Sequence, residues 1–431
     1  MLFKNITILD ENFEVKEGMF VGTCGDKISY IGANEPSDKD AYGEEYDGRG
    51  KLLLPTFYNT HSHLAMSYLR GYGENLPLSE WLNNKIFPFE GKYQEGDIYY
   101  GTLLGVAEML RFGIGSTSEM YLSYPESGKA LDEAGVKANF CNCGMSFDGG
   151  SYKDSKYYGE LLDAIDKYER YDNGRLHVDA SLHAEYTSHE SFAKELANEA
   201  KIRGLRMQVH VSETANEVEE CKARHEGRTP VRYLADCGIF DVPTTAAHCV
   251  HLTDDDIRIL KDKGVTVAHN PKSNLKLASG ICNVSALLDA GVNVTIGTDS
   301  VASNNNLNFI EEMRVASLIQ KVRDFDPTAI TPSQLLYMAT RAGALSQGRD
   351  DSGLIKEGFK ADITVMDIDK IYMKPSHSVI NNLVFSSQGT DVVLTMIDGK
   401  VLYKDGNYTT LDIDALTKEV EKRRIRILEA L

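Results

Sequence analysis

The chain has 431 residues, 42% of them hydrophobic and 26% charged, which is the composition of a globular protein with a sizeable core. Its net charge of −18 repels polyanions, which argues against DNA or RNA as a partner and favours neutral or cationic small molecules. No apolar run is long enough to cross a membrane, and the N-terminus lacks the pattern of a signal peptide, so we predict a cytoplasmic protein.

The N-terminal part of the chain, residues 1–54, alternates short strand-like pieces with glycines. An apolar run, Leu52-Leu53-Leu54-Pro55, closes this part, and His61-Ser62-His63 follows soon after it. Side chains two residues apart on a strand point to the same face, so His61 and His63 can reach one cation. The pair is a weak signal by itself and depends on further ligands later in the chain.

Between residues 52 and 300, short apolar segments alternate with stretches long enough for helices. One such stretch, residues 99–110, has apolar side chains at helical spacing and is followed by Gly113 as a stop signal. The alternation predicts an α/β fold of the (β/α)8 TIM-barrel type. The eight predicted strands are residues 52–58, 115–121, 136–143, 176–182, 206–211, 244–250, 265–269 and 292–298.

The C-terminal part again has short strand-like pieces, at residues 361–366 and 392–397. We predict that both chain ends form one small β-sandwich beside the barrel. The predicted parts are residues 1–54 and 353–431 for the sandwich and residues 55–352 for the barrel. Residues 411–431 have apolar side chains at helical spacing and predict a terminal amphipathic helix. The seven cysteines are odd in number and scattered, which predicts reduced thiols.

Polar residues stand at the C-terminal ends of most predicted barrel strands. In a barrel these ends meet at one mouth, so residues far apart in sequence become neighbours there. Each alone is more often a structural residue with a hydrogen bond than a functional one, but their shared position is improbable by chance. The residues are His61, His63, His183, His210, Glu213, His248, His251, His269 and Asp299.

Three neutral imidazoles and one carboxylate suit Zn²⁺, with Fe²⁺ or Mn²⁺ as alternatives. Such a metal lowers the pKa of a bound water from about 15.7 to about 7. Glu213 follows His210 by three residues, where it can take a proton from water and pass it to a leaving group. The pattern therefore predicts metal-assisted hydrolysis.

Five motifs resemble the signatures of the metal-dependent amidohydrolase superfamily. They are NTHSHLAM, HVSET, AAHCVHL, HNPKSNLKL and GTDSVASNNNLN. They are most similar to the deaminase branch, typified by 5-methylthioadenosine/S-adenosylhomocysteine deaminases and the related triazine hydrolases. The resemblance covers nearly the whole chain and includes the stretch at residues 353–362 in the predicted flanking β unit.

The resemblance implies a role for each matching residue. His61, His63, His210 and Asp299 would bind one metal, and Glu213 would shuttle protons, first to a ring nitrogen and then to the departing amine. In addition, His248 would orient the attacking water and Asp299 would accept its proton. No lysine ends the fourth strand, where relatives with two metals carry a bridging carboxylated lysine, so one metal is expected.

The resemblance also implies substrate contacts. Residues 76–90 are similar to a loop that closes over a nucleoside, and Glu90 matches the residue that binds the ribose hydroxyls. A carboxylate can accept both of these hydrogen bonds. His183 matches a histidine that contacts the purine. Trp81, the only tryptophan, is predicted either to line the pocket or to anchor the loop.

The chain departs from the family pattern in two places. Glu185 stands where proline is common, which predicts a loop of different shape or charge. Residues 136–160 contain no arginine to pair with the carboxylate of S-adenosylhomocysteine, and Lys137, Lys153 and Lys156 could replace it only as point charges. A shorter, uncharged 5′ group is therefore favoured, as in 5-methylthioadenosine, 5′-deoxyadenosine or adenosine.

The sequence-based hypothesis is hydrolytic deamination of a 6-aminopurine nucleoside. Two alternatives stay open at this point. The same metal chemistry would also serve a free base, a pterin or a chlorotriazine, because a fold does not determine its substrate. A catalytically inactive barrel that acts as a binding protein is the alternative of another class. A homo-oligomer is also compatible with this architecture.

Overall fold

The structure is a computed structural model that describes residues 1–168 and 174–431. Its strands are β1 (Leu2–Leu9), β2 (Val15–Cys24), β3 (Lys27–Gly32), β4 (Glu45–Asp47), β5 (Lys51–Pro55), β6 (Phe57–Ser62), β7 (Ile114–Tyr121), β8 (Lys137–Asn142), β9 (Leu176–Val178), β10 (Ala180–Leu182), β11 (Met207–Val211), β12 (Thr244–His248), β13 (Thr266–His269), β14 (Asn293–Ile296), β15 (Ile363–Asp367), β16 (Val392–Ile397), β17 (Lys400–Lys404) and β18 (Asn407–Tyr408).

The helices connect these strands and cover their outer faces. They are α1 (Leu78–Trp81), α2 (Phe87–Glu90), α3 (Asp97–Arg111), α4 (Tyr124–Ala134), α5 (Lys156–Tyr168), α6 (Glu190–Arg203), α7 (Ala215–Arg224), α8 (Pro230–Asp236), α9 (Asp254–Asp262), α10 (Pro271–Lys276), α11 (Val284–Asp289), α12 (Val301–Asn304), α13 (Phe309–Asp324), α14 (Pro332–Ala339), α15 (Arg341–Ser346), α16 (Val379–Phe385) and α17 (Ile413–Glu429). Each of them is too short or too polar to span a lipid bilayer.

Two parallel sheets form the central part of the fold. Their strand orders, β6-β7-β8-β9 and β10-β11-β12-β13-β14, follow the chain. Parallel bridges between Gly144 and Leu182 and between Ser62 and Asp299 connect the two sheets at both edges. The predicted fourth strand is interrupted at Asp179, which separates β9 from β10. This connectivity is the one expected of a (β/α)8 barrel, in which all strands direct their C-terminal ends to the same side.

The position of the first predicted barrel strand, residues 52–58, is wrong. Residues 51–55 form β5 in the flanking sheet, and the first strand of the two central parallel sheets is β6, which begins at Phe57. The side chains of β5 alternate between two cores, since Leu52 and Leu54 belong to the main core and Leu53 to the smaller one. A strand that is buried on both faces is an uninterrupted apolar run, so its pattern resembles that of a barrel strand.

Strands from both chain ends form one continuous nine-stranded sheet, so the two ends share one β unit as predicted, whereas the sandwich arrangement stays a prediction. The order is β18-β17-β16-β15-β5-β1-β2-β3, and β4 pairs with β1. In its centre, β5 pairs in parallel with β1 and antiparallel with β15. The segment before the barrel therefore connects the N-terminal strands to the C-terminal ones. The division at residues 54 and 352 stays a prediction.

The terminal helix is α17, and it packs on α3. Leu416, Val420 and Ile427 are buried as predicted, whereas Leu431 lies beyond the helix and is exposed. Arg423 donates a hydrogen bond of 2.9 Å to the fully buried carboxylate of Asp97 at the start of α3. An ion pair therefore complements the apolar contact of the two helices.

Candidate metal and substrate site

The four predicted metal ligands lie together at the C-terminal ends of the parallel strands. His61 lies within β6, His63 directly follows it, His210 lies within β11, and Asp299 follows β14 by three residues. Asp299 Oδ1 is 3.5 Å from His61 Nε2 and 3.2 Å from His63 Nε2. His63 Nε2 is in turn 3.3 Å from His210 Nε2. Three imidazole nitrogens and one carboxylate oxygen thus face a common point.

The opposite atoms of these ligands are anchored by hydrogen bonds. His210 Nδ1 donates to the carbonyl oxygen of His183 at 2.7 Å, and His63 Nδ1 donates to that of Met120. Each donation places the proton on Nδ1 and leaves a lone pair on Nε2. Asp299 Oδ2 accepts hydrogen bonds from Ser273 and Ser303 at 2.6 and 2.8 Å. The anchors orient all three side chains inward.

The unpaired atoms at this point fit a bound cation. His61 Nε2 is buried and has no hydrogen-bond partner among the described residues. An unpaired buried polar group is costly, so such an atom in a cluster of ligands indicates a missing partner. Burial lowers the pKa of His61 to about 3 and that of His210 well below its usual value, which keeps both rings neutral. The donor set suits a divalent metal.

The carboxylate of Asp299 stays ionised in this environment. Burial by itself raises the pKa of Asp299, but its close contacts with the rings of His61 and His63 outweigh that effect and hold the pKa well below its usual value. Backbone geometry contributes to the placement, because Asp299 and His248 have φ values of 59° and 73°. Left-handed non-glycine residues cost roughly 1–3 kcal/mol each and concentrate at functional sites.

Glu213 and His248 lie beside the ligand set. Glu213 follows β11 by two residues, His248 is the last residue of β12, and Glu213 Oε2 is 3.9 Å from His248 Nε2. Burial raises the pKa of Glu213, although His248 acts in the opposite direction. Asn274 Oδ1 lies 2.8 Å from His248 Nδ1 and orients the ring. A carboxyl group with a raised pKa is suited to carrying a proton near neutral pH.

A single pocket joins this site to the segment at residues 76–90. Its polar lining residues include His63, Glu90, His183, Glu213 and His248. Its apolar lining consists of Met66, Leu78, Trp81, Leu82, Ile86, Phe87, Met120, Leu122, Met145 and Leu277. Trp81 is 6% exposed and lines the pocket, so of the two predicted arrangements the pocket-lining one is observed. The predicted residues Glu90, His183 and Glu213 therefore share one cavity.

Tyr121 holds Glu90 in place and was missed by the sequence reasoning. Its hydroxyl donates a 2.5 Å hydrogen bond to Glu90 Oε1 and lies 3.4 Å from the hydroxyl of Tyr93. Burial raises the pKa of Glu90 to about 7, and the bond from Tyr121 moderates the rise. Tyr121 is the last residue of β7, so the rule that selected the strand-end histidines also applies to it.

The loop after the fourth strand presents His183 and Tyr186 to the pocket. Glu185 between them points away and is 1% exposed. Its carboxylate pairs with Arg224 at 2.7 Å and with His225 at 2.6 Å, at the end of α7. The charge at this unusual position is therefore neutralised inside the protein and does not reach the pocket.

Several other candidates lie outside the pocket lining. The last residue of β13, His269, is 2% exposed, and neither of its nitrogens has a hydrogen-bond partner among the described residues. His251 binds a backbone carbonyl instead. Lys137 pairs with Asp362 and Asp398 in the contact with the flanking sheet, and Lys153 pairs with Glu199. Neither lysine reaches the pocket.

A mixed α/β fold with such a ligand set beside a buried carboxyl group is typical of metal-dependent hydrolases. The chain belongs to the amidohydrolase family, whose sequence profile matches residues 52–402. A relative from Carboxydothermus hydrogenoformans, named 5-methylthioadenosine/S-adenosylhomocysteine deaminase, is 38% identical over 99% of this chain and 98% of its own length. A protein of the same name from Dictyoglomus thermophilum is 40% identical over 100% and 99%.

Solved structures agree with this assignment. An adenosine deaminase from Xanthomonas campestris with bound zinc is 28% identical, with a TM-score of 0.92 over 99% of this chain and 98% of its own. An atrazine chlorohydrolase from Arthrobacter aurescens, also complexed with zinc, is 22% identical, with a TM-score of 0.88 over 98% and 99%. At that identity the second structure supports the fold alone.

Proposed function

We propose that this protein deaminates adenosine-type nucleosides by hydrolysis at C6 of the purine, with one zinc ion at the mouth of a closed eight-stranded barrel. The observation that carries the proposal is that Glu213, Glu90 and the ligand His63 line the same pocket. One pocket thus offers a proton carrier, an acceptor for two hydroxyls and a metal ligand. The names of the full-length relatives point to the same reaction.

His61, His63, His210 and Asp299 would hold the metal, since the ligand atoms of the three histidines lie within 4.8 Å of one another and Asp299 Oδ1 lies 3.2 Å from His63 Nε2. When bound there, a zinc ion acts as a Lewis acid that lowers the pKa of water to about 7. His248 Nε2 faces the same point and orients the attacking water. Its Nδ1 is held by Asn274, so the ring cannot turn away.

The protein's own groups move the protons. Glu213 takes one proton from water and delivers it to N1 of the purine as oxygen adds to C6. Asp299 accepts the second proton, Glu213 passes it on to the C6 amino group, and the C6–N bond then breaks to release ammonia. The products are the inosine analogue and ammonia, so water supplies one oxygen and two protons. Acid-base help of this kind contributes about 10² to 10⁴ in rate.

The pocket walls select the substrate. Glu90 binds the 2′- and 3′-hydroxyls of the ribose, because an ionised carboxylate accepts two hydrogen bonds. His183 contacts the purine, and burial lowers its pKa to about 4, so the ring is neutral. Trp81 packs over the nucleoside from the segment at residues 76–90. A free base makes no contact with Glu90 and binds less tightly.

The 5′ group of the substrate is small and uncharged. Within the part of the chain that the structure describes, neither lysine nor arginine lines the pocket. The carboxylate of S-adenosylhomocysteine would therefore be desolvated without a partner, which is unfavourable. Leu122 and Met145 offer an apolar surface instead, which favours 5-methylthioadenosine and 5′-deoxyadenosine.

An ammonia-release screen of the zinc-loaded protein tests the proposal. The panel contains 5-methylthioadenosine, 5′-deoxyadenosine, adenosine, S-adenosylhomocysteine, free purines, pterins and chlorotriazines. We expect kcat/KM to be highest for nucleosides with a neutral 5′ group. Failure of every nucleoside would refute the reaction, whereas a preference for S-adenosylhomocysteine would refute only the assignment of the 5′ group.

A further inference from the structure

A loop outside the predicted site residues contacts the proton carrier. Ser279 lies in the short turn after α10, and its hydroxyl donates a 3.1 Å hydrogen bond to Glu213 Oε1. Both side chains are buried, with 5% and 6% of their surface exposed. A buried hydroxyl that binds a buried carboxylate restricts the rotation of that carboxylate.

Ser279 is itself fixed on two sides by hydrogen bonds. His251 Nε2 donates to the carbonyl oxygen of Ser279 at 2.6 Å, and the Ser279 amide donates to the carbonyl oxygen of Asn274 at 2.8 Å. His251 follows β12 by three residues and is one of the strand-end histidines that the proposed reaction does not use. It thus connects the sixth strand to the turn that carries Ser279.

The next residue shows how closely this turn packs on His251. Gly280 has a φ of 128°, and a Cβ atom there would lie 2.9 Å from the side chain of Val250 and 3.2 Å from His251 Nε2. Both the backbone conformation and the space thus require glycine. The same segment orients two groups of the proposed reaction, since Asn274 contacts His248, which orients the water, and Ser279 contacts Glu213, which carries the proton.

We infer that Ser279 and His251 are positioning residues that reserve one oxygen of Glu213 for proton transfer. The inference rests on the proposed function of Glu213. The Ser279 hydroxyl engages Oε1, whereas Oε2 is the oxygen that lies 3.9 Å from His248 Nε2. The proton that reaches the purine ring is therefore carried by Oε2. Without Ser279 the carboxyl group can rotate, and its proton is delivered from a poorer geometry.

The first test is Ser279→Ala in the zinc-loaded protein. We expect kcat to fall about tenfold, as for the loss of a hydrogen bond to a charged group, with KM changed less than twofold. Ser279→Thr keeps the hydroxyl and should retain most of the activity. Ser285→Ala is the matched control, because its hydroxyl also binds a carboxylate, that of Asp324, outside the pocket. An unchanged kcat for Ser279→Ala would overturn the inference.

Double-variant cycles separate positioning from general damage. If Ser279 acts through Glu213, Ser279→Ala should cost little further activity in a Glu213→Asp background, where the shorter carboxylate no longer reaches the hydroxyl. The effects of His251→Ala and Ser279→Ala should likewise be less than additive. Additive losses in both cycles, or loss of bound zinc in Ser279→Ala, would overturn the inference. Absence of ammonia release by the unsubstituted protein would refute the proposed function instead.

Discussion

The floor and the roof of the pocket are built in different ways. The floor consists of residues on or just after strands. In His210 and in Asp299, one polar atom of the side chain is anchored by a hydrogen bond, and the other faces the proposed metal position. The roof is the segment at residues 76–90, whose pocket-lining side chains are apolar except for Glu90, which Tyr121 anchors. The proposed reaction thus depends on atoms that hydrogen bonds hold in a fixed orientation, whereas the choice of substrate depends on a mainly apolar surface.

This difference predicts that floor variants change kcat or metal binding for every substrate, whereas roof variants change KM for particular substrates. The largest effect is expected for Glu213→Gln, which should lower kcat by about 10² to 10⁴ because glutamine cannot carry the proton. Bound zinc, measured by elemental analysis, should be unchanged. Glu219→Gln, an exposed change on α7, is the control. Full activity of Glu213→Gln would contradict the proposed role of Glu213 as the proton carrier.

The anchors of the floor should control metal affinity. Replacing Ser273 and Ser303 by alanine removes both hydrogen bonds to Asp299 Oδ2. Loss of such partners typically weakens metal binding about 10- to 100-fold, so we expect that change in competition with a chelator. Ser151→Ala, which removes a hydrogen bond to Glu195 outside the pocket, should have no effect. Equal affinity in the double variant would show that Asp299 needs no anchor.

The roof should discriminate by the ribose. Glu90→Gln should raise KM for 5′-deoxyadenosine about tenfold, since the amide accepts fewer and weaker hydrogen bonds from the diol. Deamination of the 2′,3′-dideoxy analogue should change far less. Glu80→Gln changes an exposed carboxylate in the same segment and serves as the control. Equal effects on both nucleosides would show that Glu90 does not bind the ribose hydroxyls.

The smallest effect concerns pH. Burial raises the pKa of Glu90 to about 7, with Tyr121, Tyr93, Cys143 and His63 as the titratable groups around it. Glu90 is therefore protonated below pH 7, where it accepts fewer hydrogen bonds, and ionised above it. From pH 8 to pH 6.5, KM for nucleosides should rise about fourfold, as the ionised fraction falls. Glu90→Gln should abolish this dependence, and an unaltered profile would contradict the assignment.

The sequence indicated most of the proposed catalytic and metal-binding residues but few of the residues that hold them in place. The four proposed ligands, Glu213 and His248 could be selected because each stands at a strand end, and the C-terminal ends of barrel strands converge. Tyr121 follows the same rule but was missed, because tyrosine is common in cores and carries no metal-binding signature. Ser279 lies in a turn after a helix, where nothing in the local sequence indicates a contact with Glu213.

Two expectations from the sequence failed to anticipate contacts with residues distant in the chain. The run Leu52-Leu53-Leu54 was assigned to the barrel, whereas it forms β5 between two cores. Glu185 was expected to give its loop a different shape or charge, and its carboxylate pairs inside the protein with Arg224 and His225. In both cases the local sequence is compatible with two positions in the fold. Contacts with residues distant in sequence decide which of them is adopted.

The amino-acid sequence alone specifies the alternation of strands and helices, the family, and the residue types at the strand ends. These properties are local or cumulative along the chain, so periodicity and motifs record them. The folded structure was needed to show which side-chain atoms face the pocket, that Tyr121 binds Glu90, and that Ser279, bound in turn by His251, contacts Glu213. Such pairings join segments distant in sequence, and their geometry depends on how the whole core packs.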